Sequence, residues 1–163
     1  MNRIDLLRAQ LDSTYDQEGW YPPLQPALAG LTAEQASWRP AGEAVNTIWE
    51  NVNHLLYYKR RLVTRLQGGE PGPYAGNDST FAGEETTDPE AAWQAAVRKT
   101  EEVHSELKAA LSAFTDDDLA KSIPSGPIGD TLMAMFMHEA YHTGQIIQLR
   151  KMQGSWPARR SFE

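Results

Sequence analysis

Residues 132–149 read Leu132-Met133-Ala134-Met135-Phe136-Met137-His138-Glu139-Ala140-Tyr141-His142-Thr143-Gly144-Gln145-Ile146-Ile147-Gln148-Leu149. Met135, His138, His142, Ile146 and Leu149 follow one another at intervals of 3, 4, 4 and 3. That is the repeat of one helix face. Two histidines thus stand in an apolar stripe, four residues apart, with Cβ atoms roughly 5–6 Å from each other. A buried imidazole needs a partner for each ring nitrogen. Two of them, one turn apart, can share one by pointing at a single ion about 2.0–2.1 Å away.

Three more stretches carry the helical period: Ile4, Leu7, Leu11 and Tyr15; Ile48, Val52, Leu55, Leu62 and Leu66; and Trp93, Val97, Thr100, Leu107 and Leu111. Their ends agree with helix chemistry. Thr47 and Glu50 form a capping box, and Asp88-Pro89 is an N-cap followed by proline at the first helical position. Gly68-Gly69 ends the second helix and Gly154 with Pro157 the fourth. Thr32 with Gln35 starts a short extra helix, and Asp116 to Ala120 another. No run alternates apolar and polar residues, so no strand is expected. The expectation is an all-α, four-helix bundle formed by one domain over residues 1–163. Long connections at 17–45, 68–87 and 115–129 either cross between non-adjacent helices or build a site.

Composition narrows the function. The 163 residues are 40% apolar with a formal net charge of −7. An acidic average repels a nucleic-acid backbone, and the basic clusters Lys59-Arg60-Arg61 and Arg159-Arg160 build no stripe. No window approaches the ~18 apolar residues of a membrane span. The charged N-terminus lacks a secretory signal, so the expected compartment is the cytoplasm. There is no cysteine, which excludes thiolate metal ligands and a protein thiol nucleophile.

His54, on the shoulder of the second stripe, supplies a third ligand, since bundles build metal sites from facing helices. Three ligands leave a coordination position open for water or substrate. His104, between Thr100 and Leu107, is a weaker competitor for that role. His138-Glu139-Ala140-Tyr141-His142 also spells the H-E-x-x-H of zinc proteases, in which the glutamate is a general base. Only 21 residues follow, with Glu163 their one acid and no histidine among them, so the protease context is missing. Glu139 remains a candidate base for a metal-bound water. Gln145 and Tyr58, each about one turn from a histidine, are candidates to line the site. Gly144, which costs about 1 kcal/mol in a helix relative to alanine, points to close approach of a backbone or substrate.

The chain resembles the DinB/YfiT-like metalloenzymes over nearly its whole length. The resemblance rests on the N-terminal amphipathic helix, on Leu31-Thr32-Ala33-Glu34-Gln35 with Trp38-Arg39-Pro40, on Ile48-Trp49-Glu50-Asn51-Val52-Asn53-His54-Leu55-Leu56, and on His138-Glu139-Ala140-Tyr141-His142-Thr143-Gly144-Gln145-Ile146. It implies a four-helix bundle whose metal, commonly zinc or nickel, is held by His54, His138 and His142, and it implies a homodimer. Relatives of this kind include transferases that use the low-molecular-weight thiols bacillithiol or mycothiol, and a thiol-dependent isomerase. Three functions are therefore expected, in order: a metal-dependent transferase acting on a small molecule with a thiol cosubstrate, a metal-dependent hydrolase with Glu139 as base, and a non-catalytic metal-binding bundle.

Overall fold

The computed structural model describes residues 2–42, 44–83 and 85–158. Arg159, Arg160 and Glu163 lie outside the described residues. Four long helices form where the apolar period placed them: α1 (Arg3–Tyr15), α4 (Ile48–Leu66), α5 (Pro89–Ser112) and α6 (Ile128–Met152). Two short helices, α2 (Leu24–Leu28) and α3 (Ala33–Ser37), occupy the first long connection. The fold is all-α in character. Helix α4 packs on α5 and α6, and α1 closes the bundle against the same two.

The caps act as the sequence implies. Thr47 and Glu50 bond each other's backbone at the start of α4, as Thr32 and Gln35 do on α3, and Asp88 caps α5. The carboxylate of Asp116, in a 3₁₀ turn at 116–120, accepts from the free amides of Arg3 and Ile4 at 3.1 and 2.8 Å. This pins the start of α1, where donors have no helical partner. At the other end of the bundle, Arg150 donates to the carbonyls of Ala27, Ala29 and Ser155, and so fastens α2 to α6.

One expectation fails here. Ser122–Ile123 and Gly126–Pro127 pair as a minimal antiparallel hairpin, β1 and β2, leading straight into α6. Two residues per strand are too few to show alternation.

The core has two parts. One gathers Leu24, Leu28, Ile48, Val52, Trp93 and Ile146 at the α2–α3 end. The other gathers Leu7, Leu11, Leu62, Leu107, Leu132 and Phe136. Trp93 is fully buried and its indole N–H donates to the Leu31 carbonyl at 2.7 Å. The outer face of α6 is different: Met133, Met137 and Tyr141, spaced four apart, are 45%, 68% and 64% exposed. Among the described residues, no helix is long and apolar enough to cross a membrane.

Candidate metal centre

The facing stripes of α4 and α6 bring His54, His138 and His142 together, with one ring nitrogen of each within 4.8 Å of the others. Nε2 of His54 lies 2.9 Å from Nε2 of His138. Two ligands about 2.0–2.1 Å from one ion can span that separation. His54 and His142 are buried, whereas His138 is half-buried.

The surroundings set the tautomers. The Thr80 hydroxyl donates to the Asn77 carbonyl at 2.6 Å. Its oxygen is therefore left to accept from Nδ1–H of His54, 2.6 Å away. Nδ1–H of His142 donates in the same way to Oδ1 of Asn51, at 2.7 Å. Asn51 is itself oriented by donating its amide to the Thr47 carbonyl at 2.8 Å. Both arrangements turn an Nε2 lone pair towards the cluster, as metal-binding histidines require. Burial, then the neighbouring imidazoles, lowers His54 to about 4; burial and His142 lower His138 to about 4; burial lowers His142. Neutral rings are the form that ligates. The donor set, tautomers and charge state all fit a divalent ion.

The second long connection closes over the site. Phe81 stacks on His54 with centroids 4.0 Å apart and rings 13° from parallel. The edge of Tyr58 meets both His54 and His138, at centroid distances of 4.9 and 5.5 Å. Gln145 interacts with His142.

Glu139 is elsewhere. It lies about 100° round α6 from His138, and its carboxylate faces the bundle interior. Oε2 is 2.5 Å from Nζ of Lys59, and both residues are almost wholly buried. No hydrogen bond joins Glu139 to the three histidines among the described residues. His104 is not near them either. It stacks on Tyr15, centroids 4.1 Å apart, in a second polar pocket with Asp12 and Asp16. Those three residues also offer donor atoms within 4.8 Å of one another. There, however, Lys108 already binds Asp12 at 2.8 Å and the Lys59 charge acts on His104, so lysines supply the countercharge.

Gly144 does not accommodate a neighbouring backbone. Among the described residues, nothing beyond the local backbone of its own helix comes within 4 Å of where a Cβ would stand. It lines an open cavity of about 500 Å³ with Asn51, Tyr141 and Gln145.

The model of the DinB superfamily matches residues 5–146. The chain belongs to the DinB superfamily. That span contains most of α1, all of α4 and α5 and all three histidines, and the superfamily is a metal-binding one. No curated protein and no solved structure matches. The superfamily thus accounts for the bundle and the three-histidine cluster, and Asn51, Thr80, Phe81 and Lys59 are partners that only the structure of this member brings out.

Proposed function

We propose that this DinB protein is a metal-dependent transferase that joins a low-molecular-weight thiol of the bacillithiol or mycothiol type to a small electrophilic molecule. The carrying observation is a centre of three neutral nitrogen donors, one of them on the half-buried His138. A zinc or nickel ion held there supplies a Lewis acid that lowers the pKa of a thiol to near neutrality. His54, His138 and His142 hold that ion; Thr80 and Asn51 keep their lone pairs aimed inward; Phe81 shields one flank from water. The nucleophile comes from the cosubstrate, in keeping with a chain that has no cysteine. Its sulfur forms a bond to the electrophilic carbon, the leaving group departs with the electron pair, and the thiol proton passes to solvent.

The test is thiol titration of the cobalt(II)-loaded protein, read by visible absorption, beside the rate of thiol transfer to a haloarene. A thiol-dependent spectrum and metal-dependent transfer support the reading. Neither, in protein with stoichiometric metal, overturns it.

Hydrolysis with Glu139 as base is the second reading. Its base would have to leave Lys59, which makes it the weaker one. A non-catalytic metal protein is the third reading, and three wholly buried ligands would suit it better than a set with the half-buried His138. We also assign the exposed Met133, Met137 and Tyr141 stripe to a second copy of the chain. Sedimentation of wild type and Met137→Lys tests this: a dimer that becomes a monomer supports it, and a wild-type monomer overturns it.

A further inference from the structure

Beside the three histidines lies a cavity of about 300 Å³ between α4, α6, the β1–β2 turn and Tyr74. Tyr58 forms the wall they share, and Met135, one turn before His138, forms part of the floor. The polar groups facing it are donors. Arg61 and Arg65 line it and, among the described residues, no acidic one does, in a chain of net charge −7. Arg61 spends one nitrogen on the Gly72 carbonyl at 2.7 Å and so holds the loop while keeping its charge. Arg65 has a buried Nε with no hydrogen-bond partner and makes no ion pair among the described residues. The hydroxyls of Tyr58 and Tyr74 are 3.1 Å apart, and those of Ser125 and Thr131 are 3.3 Å apart. In each pair one hydroxyl donates to the other, which leaves the acceptor's own O–H for a ligand.

A guanidinium with converging hydroxyls suits a carboxylate. We propose that this cavity is a carboxylate subsite, which takes the anionic end of an elongated substrate whose other end reacts at the three histidines. Arg65 lies eleven residues beyond His54 on α4, roughly 16 Å along the axis, and its side chain leans back towards the site. The two ends of the substrate are therefore on the order of 8–10 Å apart. The inference rests on the metal-centred reading for what happens at the far end, and its test separates the two.

The cobalt(II)-loaded protein is titrated with 6-mercaptohexanoate and with 6-mercapto-1-hexanol, which differ only in the terminal carboxylate. Wild type is expected to bind the acid at least about tenfold more tightly, the worth of one charge-assisted hydrogen bond. Arg65→Gln should bring the two within about twofold, and Arg65→Lys should restore part of the preference. Equal affinities in wild type, or a preference that survives Arg65→Gln at unchanged metal content, overturn the subsite. Adipate, followed by calorimetry, isolates it from thiol chemistry. If neither thiol binds, the transferase reading fails, and the subsite stands or falls on whether adipate binds and loses about tenfold with Arg65→Gln.

Discussion

Nζ of Lys59 lies 2.5 Å from Oε2 of Glu139, and the two residues are only 4% and 1% exposed. This buried pair ties α4 to α6 beside the three histidines. Removing one partner of such a pair leaves an uncompensated charge in the core and costs about 3–5 kcal/mol, whereas an apolar replacement of both is often neutral. Lys59→Met should therefore lower the free energy of unfolding by about that amount, and Lys59→Met with Glu139→Leu should recover at least half of it. Urea titration measures both. Metal content of Glu139→Gln should match wild type. A double variant as unstable as Lys59→Met would show that the pair is not what the core requires.

The partners of the ligand histidines should matter for affinity rather than for stoichiometry. Asn51→Leu and Thr80→Val each remove the acceptor that orients one imidazole. Losses at such positions are about 10–100-fold in metal affinity. Competition against a chromophoric chelator reads the constant directly. Unchanged affinity in both variants would mean that packing, not hydrogen bonding, sets the rings.

His104 should make the protein sensitive to acid. Burial first, then the charge of Lys59, holds it at about 4 against an ordinary 6.5, with Asp16 and Asp12 opposing. The unfolded chain therefore takes up a proton near 6.5 that the folded chain refuses. Stability is complete above 6.5, falls as pH drops from there to about 4, and loses nothing further from this group below that. The total is up to roughly 3 kcal/mol. His54 and His138 titrate in the same range in metal-free protein. The comparison is thus between metal-free wild type and metal-free His104→Gln, whose stability should fall less steeply between pH 6.5 and 4. Parallel curves would refute the assignment.

Gly144 sits inside α6 with open space where a Cβ would stand. Gly144→Ala should then stabilise the fold by up to about 1 kcal/mol. A raised melting temperature is the expected result. A lowered one would mean that the cavity lined by Gly144 is filled in the working protein.

Much of this was legible in the sequence. Helices are bought by apolar periodicity and marked by caps, and all four long ones lie where those signals fall. The pair His138 and His142 follows from spacing alone, whereas His54 rests mostly on the resemblance to the DinB family, with His104 a weak competitor for its place. Other polar residues carried the same signal unread. Asn51 and Lys59 fall in the stripe of Ile48, Leu55 and Leu62, and both are buried. Glu139 falls in the stripe of Leu132, Phe136 and Ile146, so its phase points to the core although its motif pointed to the metal. Thr80 and Phe81 had no such signal. They lie in an irregular connection, where no period relates sequence to direction, and only the folded chain brings them onto His54.

The central claim is that His54, His138 and His142 together hold one divalent metal ion. Elemental analysis of tag-free protein, beside His54→Ala and His138→Ala variants checked for helical content, tests it most directly. One equivalent of metal in wild type and loss of most of it in each variant is the expected result. Full retention in both folded variants would contradict it.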